Sequence, residues 1–211
     1  MSNDAQFWNK LAESYSRKPV ADPLAFERKI AFMQSLIQPH SVIADLGCGT
    51  GSLALRLAPF AREVHGLDLS QEMVRIARDK AKSQGAHNVT FHVGPVDGSL
   101  PFLPQSLDGI CACSLLHLVE DRAHLLALAF KLLKPGGFFV TSTPCLAESR
   151  VPYTPLLKLL HFMGRAPRVQ VFSKQTLAAE IQQAGFVELQ LPDVGAKPAV
   201  AFTTAMKSLE G

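Results

Sequence analysis

The sequence predicts an α/β fold in which buried strands alternate with helices, and two observations support this prediction. The first is a strand, a glycine-rich turn and a helix between Val42 and Ala58. A short apolar run bounded by turn residues is typical of a buried strand, and glycines allow the tight backbone angles of the turn. The second is that strand-like runs and helical segments keep alternating along the chain, as in a sheet of parallel strands.

The glycine-rich turn, Asp45 to Gly51, predicts a ligand that approaches the main chain closely. Its three glycines alternate and do not follow the G-x-G-x-x-G spacing of a dinucleotide loop, and the lysine of a P-loop is missing. The carboxylate of Asp45 would repel a pyrophosphate and suits a positively charged group. An amino-acid head with an adenosine and no phosphate fits better, which favours S-adenosylmethionine (SAM).

The same stretch resembles the first motif of class I SAM-dependent methyltransferases, often D/E-x-G-x-G-x-G, which Asp45, Gly47, Gly49 and Gly51 match in full. The resemblance covers about residues 40–207 and extends to the ubiquinone/menaquinone C-methyltransferase-like group. It implies a Rossmann-like sheet of seven mostly parallel strands, with helices on both faces and an antiparallel last strand. It also implies SAM as the cofactor and S-adenosylhomocysteine as its product.

Length and composition indicate one domain of ordinary size. The chain has 211 residues, of which 47% are hydrophobic and 18% charged, so it can bury a good core and is not disordered. The net charge of +3 is too small to favour nucleic acid, and we expect none as a partner. The N-terminus lacks the features of a signal peptide, and no apolar run reaches the roughly 18 residues of a spanning helix. We therefore expect a cytoplasmic protein.

The cysteines Cys48, Cys111, Cys113 and Cys145 all lie in or beside apolar strand-like runs. Cys111 and Cys113 would point to the same face of a strand. Zinc sites usually use wider spacings and a second pair of ligands. We interpret the cysteines as reduced core thiols, and we expect no metal site.

Two helices are expected before the glycine-rich turn, over residues 5–18 and 24–37, because apolar side chains recur there at helical spacing. The first helix either packs on the edge of the domain or forms a lid. Many small-molecule methyltransferases have such a segment over the SAM pocket, so the resemblance favours a helical lid over residues 1–38, with Tyr15 near the ligand. Residues 39–211 then form the SAM-binding domain.

The second strand, which begins at Glu63, ends on Asp68, 21 positions after Gly47. An acid at about this distance is placed to accept hydrogen bonds from both ribose hydroxyls. The alternative is a helix cap, but Ser70 is better placed to cap the following helix. The segment resembles the family's second motif, which implies that Leu69 and Met73 pack near the adenine.

A third strand, over residues 88–93, leads to a segment that ends in Leu-Pro-Phe. The family often has G-D-x-x-x-L-P-F here, and its acid binds the adenine amino group. Asp97 lies one residue closer to Leu-Pro-Phe than that pattern expects. Asp97 is therefore either the adenine ligand or a turn aspartate, and in the second case Val96 takes the family position and a backbone group binds the adenine.

The fourth strand, residues 107–114, is expected beside the first, and the crevice of such a sheet opens at the carboxyl ends of these strands. That places Cys113, Ser114 and His117 over the site. Histidine accepts a proton near pH 7, so His117 is the candidate general base. The alternative is a histidine that packs in the loop before the helix opened by Asp121.

The resemblance, with Tyr15 as our own candidate, thus gives these cofactor contacts: Tyr15, Asp45, Gly47, Cys48, Gly49, Gly51, Asp68, Leu69, Met73, Val96, Asp97, Cys113 and Ser114. Residues 134–137 resemble the family's L-K-P-G-G and predict a turn into a fifth strand over 138–142. A capped helix over 173–184 and strands over 186–191 and 200–206 complete the fold.

Residues 144–172 depart from regular alternation and contain four prolines, an apolar run and several bases. This segment is either a connecting insertion with a solvated basic face or a cap over the carboxyl ends of the strands, and we favour the cap. Apolar surface together with bases suits a lipophilic substrate with an anionic group, or contact with a membrane surface.

Methyl transfer is an in-line displacement at a sulfonium, for which an enzyme excludes water, aligns the nucleophile and removes any proton it holds. We therefore predict a SAM-dependent methyltransferase for a small methyl acceptor, lipophilic or anionic, acting as a monomer or a homodimer. One alternative is an RNA or protein methyltransferase, which the lack of a basic stripe with aromatics disfavours. The other is a SAM-binding regulator without turnover.

Overall fold

The computed structural model describes residues 3–96, 100–147, 149 and 151–209. Its centre is a seven-stranded sheet in the order β3-β2-β1-β4-β5-β7-β6. The strands are β1 (Val42–Leu46), β2 (Glu63–Asp68), β3 (Val89–Val93), β4 (Leu107–Cys113), β5 (Leu133–Pro144), β6 (Val187–Gln190) and β7 (Val200–Met206). The helices are α1 (Asn3–Arg17), α2 (Pro23–Leu36), α3 (Ser52–Leu57), α4 (Gln71–Gln84), α5 (Arg122–Leu132), α6 (Tyr153–Phe162) and α7 (Lys174–Gln183).

The sheet confirms the predicted fold class. Strands β1 to β5 pair in parallel, and β7 runs antiparallel to both β5 and β6. The strand order reverses at β1, because the chain builds outward to β3 and then returns to place β4 on the other side of β1. The carboxyl ends of β1 and β4 therefore flank the point where ligands bind in open α/β sheets.

Strand β1 is buried on both faces, which explains why it is apolar without alternation. Successive side chains of a strand point to opposite faces. Ala44 and Leu46 lie in the core cluster that contains Leu125 of α5, whereas Ile43 lies in the cluster that contains Met33 of α2. The sheet is thus covered by helices on both sides.

Four helices begin at a side chain that accepts a hydrogen bond from the first turn. Asp22, Ser70, Asp121 and Ser173 accept from the backbone N–H three residues later. Such caps contribute about 0.5–2 kcal/mol each. The caps predicted at Ser70 and Asp121 are confirmed.

The predicted turn over residues 134–137 is wrong, because these residues lie inside β5. The pairing of β5 with β4 shifts register between Leu107 and Gly109, which accommodates the extra residues. The main chain of Lys207, just after β7, bonds to Gly136 and Gly137. These contacts extend the edge of β5 beyond the local turn signal.

The segment between β5 and α7 differs from the rest of the chain in its exposure. We call residues 144–172 the cap segment. It contains α6, which has no buried residue. In the described part of the chain, no helix is both long and apolar enough to cross a membrane.

The four cysteines have free thiols, and three of them are buried. Cys111 lies 3.7 Å from the sulfur of Met33, measured from sulfur to sulfur. Cys111 and Cys113 pack on the same core cluster, as expected for alternate residues of a strand.

Candidate functional site

The glycine-rich turn after β1 is fixed to the end of β2 by main-chain hydrogen bonds. The N–H groups of Gly47 and Cys48 both donate to the carbonyl oxygen of Leu67, at 2.8 and 3.0 Å. The N–H of Gly49 donates to Oδ2 of Asp68 at 2.9 Å. The turn and the predicted ribose acid therefore form one unit. We call the groove at the carboxyl ends of β1, β2, β4 and β5 the crevice.

The glycines of this turn have different neighbours. A Cβ at Gly47 would lie 2.8 Å from Cδ1 of Leu115, and a Cβ at Gly51 would lie 2.8 Å from Cζ of Phe91. Both glycines also have positive φ, 70° and 77°, which side chains disfavour. A Cβ at Gly49 would meet only Tyr15, at 3.9 Å. Gly47 and Gly51 thus face the protein, and Gly49 faces the side on which a ligand could lie.

Asp45 is a buried acid, with only 2% of its surface exposed. Its Oδ2 has no hydrogen-bond partner among the residues that the structure describes. Burial raises the pKa of Asp45 to about 8; repulsion from Asp68 adds to this, and the N–H of Ala54 opposes it. An unpartnered buried carboxyl group fits a ligand that brings a positive charge.

Asp68 is held by two backbone N–H groups. Its Oδ1 accepts from the N–H of Ser70 at 2.8 Å, and its Oδ2 accepts from the N–H of Gly49. Burial raises the pKa of Asp68, while these two hydrogen bonds lower it. The N-cap of α4 is Ser70, whose Oγ accepts from Met73 at 3.1 Å. The carboxylate of Asp68 is thus oriented at the crevice and does not serve as the helix cap.

Helix α1 docks on the start of α4. Oδ1 of Asn9 accepts from Oγ of Ser70 at 2.7 Å and from the N–H of Glu72 at 3.2 Å. Ala12 of α1 packs with Met73 and Ile76 of α4. These contacts place α1 beside the crevice. Helix α2, by contrast, packs into the core beneath the sheet.

Tyr15 lies over the glycine-rich turn at the end of α1. Its residue is 48% exposed, yet partial burial raises the pKa of its hydroxyl, and the charges of Asp68 and Asp45 raise it further. Tyr15 is therefore close to both acids, and its ring approaches Gly49. A lid role for this part of residues 1–38 stays a prediction.

The remaining adenine-side candidates fall in different places. Leu69 is half-buried between β2 and α4. The side chain of Met73 packs against α1 in a small cluster that Trp8 borders. Val96 is buried in the core with Leu67. Cys48 is likewise buried, and its N–H and carbonyl oxygen bond to Leu67 and Gly51 within the fold. Asp97 lies outside the described residues.

The end of β4 forms the other wall of the crevice. Burial, with a smaller contribution from Asp45, raises the pKa of the Cys113 thiol to about 12, while Lys29 opposes the rise. Ser114 is exposed, has a φ of 55° and donates its N–H to the carbonyl oxygen of Ser142 at 2.7 Å. A positive φ at a non-glycine residue is uncommon, and here it turns the chain away from the sheet.

His117 is half-buried at the base of the cap segment. Its Nδ1 lies 3.2 Å from Oγ1 of Thr143. Its carbonyl oxygen accepts from the N–H of Gln170 at 2.7 Å. Burial lowers the pKa of His117 to about 4, so the imidazole is neutral at pH 7 and is a weaker base than a free histidine.

Two residues of the site were missed from the sequence. Asn9 anchors α1 to α4, and Nζ of Lys29 donates to Oγ of Ser142 at 2.8 Å. A signal for Lys29 did exist, because it stands four residues before Met33 and so shares that residue's buried face of α2. A charged residue on an apolar helix face needs a partner, and here the partner comes from β5.

The geometry fits SAM, since an orphaned buried carboxyl group, an oriented ribose acid and an open glycine lie together.

A family model for a methyltransferase domain matches residues 43–137. The chain is 28% identical over 209 residues to the demethylmenaquinone methyltransferase of Anoxybacillus flavithermus, covering 87% of each chain.

Two further proteins are similar to this chain over little more than half of their own length. The ubiquinone/menaquinone biosynthesis C-methyltransferase UbiE of Geotalea daltonii is 33% identical over 140 residues, which cover 64% of this chain and 57% of the relative. The phosphoethanolamine N-methyltransferase 2 of Haemonchus contortus, solved with SAM, superposes with a TM-score of 0.73 at 16% identity, over 87% of this chain and 53% of that one. This last likeness supports the fold. These findings support a SAM-dependent methyltransferase with a methyltransferase domain over residues 43–137, similar in sequence to the ubiquinone/menaquinone C-methyltransferases.

Proposed function

We propose that the acceptor of this methyltransferase is a small lipophilic molecule with an anionic group. The observation that carries the proposal is a cleft of about 300 Å³ between α1 and the chain just after α6. Apolar side chains and two bases line it together, which suits an apolar body bearing a negative charge. The lining residues are Phe7, Lys10, Leu11, Gly164 and Arg165.

Two residues that line this cleft share a face of α1 with Tyr15. Phe7 and Leu11 stand eight and four residues before Tyr15, and residues four apart share a helix face. Because Tyr15 lies over Gly49, an acceptor in the cleft would have a path along α1 to the glycine-rich turn.

The cap segment is tied to the crevice at its base. The N–H of Gln170 donates to the carbonyl oxygen of His117, and the N–H of Ala147 donates to the carbonyl oxygen of Phe172 at 3.2 Å. The two ends of the cap segment are thus joined close to the end of β4. This arrangement supports a cap over the acceptor pocket.

In this proposal the residues of the crevice have separate roles in binding SAM and in removing a proton from the acceptor. When bound, SAM supplies a methyl group activated by a positive sulfur. Asp45 would hold the ammonium group of the cofactor, and Asp68 would accept from the ribose hydroxyls. Nδ1 of His117 faces Thr143, which leaves Nε2 to take the proton of an acceptor hydroxyl. An acceptor that attacks through a free lone pair needs no such base.

The acceptor class is tested by following S-adenosylhomocysteine release. The panel contains lipophilic phenols and hydroquinones with and without a carboxylate, together with bulk RNA and a protein extract. We expect turnover with the small lipophilic compounds, and faster turnover with those that carry a carboxylate. The relatives named as demethylmenaquinone and ubiquinone/menaquinone methyltransferases make phenol-like rings a suitable starting set.

The same assay separates the alternatives. Turnover on RNA or protein alone would overturn the proposal, and tight SAM binding with no turnover on any substrate would favour a regulator. For a phenolic acceptor, His117→Asn should lower kcat by about 100-fold while SAM affinity stays the same. An unchanged kcat would remove His117 as the base.

A further inference from the structure

Lys29 reaches the carboxyl ends of β4 and β5 from α2. Met33, one turn later on α2, lies against Cys111 of β4. Lys29 takes the corresponding place one turn closer to the crevice, where its Nζ donates to Oγ of Ser142. Ser142 pairs with Cys113 at the end of β4. The ammonium group of Lys29 therefore sits at the rim of the crevice.

The charge of Lys29 is poorly compensated. Its ammonium group can donate three hydrogen bonds, and in the described part of the chain it donates one, to a neutral hydroxyl, and joins no ion pair. Burial lowers the pKa of Lys29, against the opposing effects of Cys113 and Asp22. By contrast, the ammonium group of Lys134 pairs with Asp108 at 2.7 Å. A half-buried cation that joins no ion pair within the described residues is an energetic cost that a bound anion would offset.

Strand β4, which ends at Cys113, lies between β1, which carries Asp45, and β5, which carries Ser142, the hydrogen-bond partner of Lys29. The pKa of Cys113 is raised by the charge of Asp45 and lowered by that of Lys29, so both groups are within electrostatic reach of it. Neighbouring strands are about 4.8 Å apart, and Asp45, Cys113 and Ser142 belong to three neighbouring strands. An acid and a base thus face the same short stretch of the crevice.

We propose that Nζ of Lys29 and Oγ of Ser142 form a carboxylate-binding site at the rim of the crevice. The proposal rests on the proposed function, because it places the carboxylate of either the cofactor's amino-acid end or the acceptor there. In the first case, Asp45 and Lys29 bind the two ends of a zwitterion. In the second, Lys29 holds the anionic group of the acceptor.

The test is calorimetric titration of wild type, Lys29→Met and Arg28→Met with SAM and with 5′-methylthioadenosine, which lacks the amino-acid end. Arg28→Met is the matched control, because it removes the same charge from an exposed neighbour on α2. For the cofactor source, Lys29→Met should weaken SAM binding about 10-fold and leave methylthioadenosine binding within about 2-fold. Ser142→Ala should weaken SAM binding to a smaller extent, and Arg28→Met should change neither.

For the acceptor source, Lys29→Met leaves both affinities unchanged and raises KM for a phenolic carboxylate but not for its methyl ester. The proposal is overturned if Lys29→Met, folded by circular dichroism, changes none of these quantities. A wild type that binds neither SAM nor methylthioadenosine would instead overturn the cofactor site, which is a different result from failure at Lys29 alone.

Discussion

The crevice and the cap segment differ in how their side chains are held. Asp45 and Asp68 in the crevice are 2% and 8% exposed, and strand ends fix their positions. Leu159 and Phe162 in α6 are 55% and 89% exposed, and no residue of α6 is buried. The predicted cofactor contacts are therefore groups that folding orients in advance, whereas α6 keeps apolar surface exposed.

The difference has an energetic reason. Orienting buried acids before the ligand arrives lowers the entropy cost of binding, but it leaves Asp45 with an unpartnered oxygen. An exposed helix has no such cost and can adapt to its ligand. Substitutions at four positions, with control variants, test this difference between the crevice and the cap segment.

The largest effect is expected at Asp68. Replacing Asp68 with Ala removes the ribose acceptor and the hydrogen bonds from Gly49 and Ser70, so SAM affinity should fall about 100-fold. Calorimetry measures it, with the exposed acid Asp193→Ala as control. A loss of less than about 3-fold would mean that the carboxylate does not hold the cofactor.

The carboxylate of Asp45 should favour SAM binding and lower the stability of the free protein. The unfolded chain has an Asp pKa of about 3.9, and the folded free protein has one of about 8 at Asp45. The folded state therefore binds this proton more tightly, and the stability contributed by this group falls as pH rises from about 4 to about 8.

Replacing Asp45 with Asn should weaken SAM binding about 30-fold. It should also raise the Tm of the free protein by about 3–6 °C at pH 8.5, and by less at pH 6. Thermal melts at both pH values measure this. A lower Tm at pH 8.5 would show that the carboxylate is compensated in the free protein.

The cap segment should affect the acceptor without affecting the fold. Because Phe162 is exposed, Phe162→Ser should change Tm by less than about 1 °C and raise KM for a lipophilic acceptor about 5-fold. The contrasting variant is Leu126→Ala, a fully buried residue whose truncation should lower Tm by about 5 °C or more. Unchanged KM would separate α6 from the acceptor.

The smallest effect is expected at Tyr15. Tyr15→Phe keeps the ring over Gly49 and removes the hydroxyl near the two acids, so SAM affinity should fall about 3-fold. Tyr15→Ala should have a larger effect because it also removes the ring. Equal affinities for all three proteins in calorimetry would limit α1 to a packing role.

Local patterns were enough to predict most elements. The bounds of β2 and β7 match the predictions. Ser70 and Asp121 mark helix starts because a cap acts within three residues. The resemblance of Asp45, the three glycines and Asp68 to the motifs of a known family likewise predicted the family and its cofactor.

Contacts between distant residues decided the rest. Residues 134–137 carry a turn signal but lie within β5, where the main chain of Lys207, just after β7, bonds to Gly136 and Gly137. The role of Lys29 depends on Ser142, 113 residues away. Local signals were enough to predict the sheet, the glycine-rich turn and an acid at the end of β2, while the ribose-binding role of Asp68 stays a prediction. The packing of distant elements decided that Oδ2 of Asp45 has no hydrogen-bond partner among the described residues and that Lys29 bonds to Ser142, because burial and charge pairing depend on which strands and helices pack together.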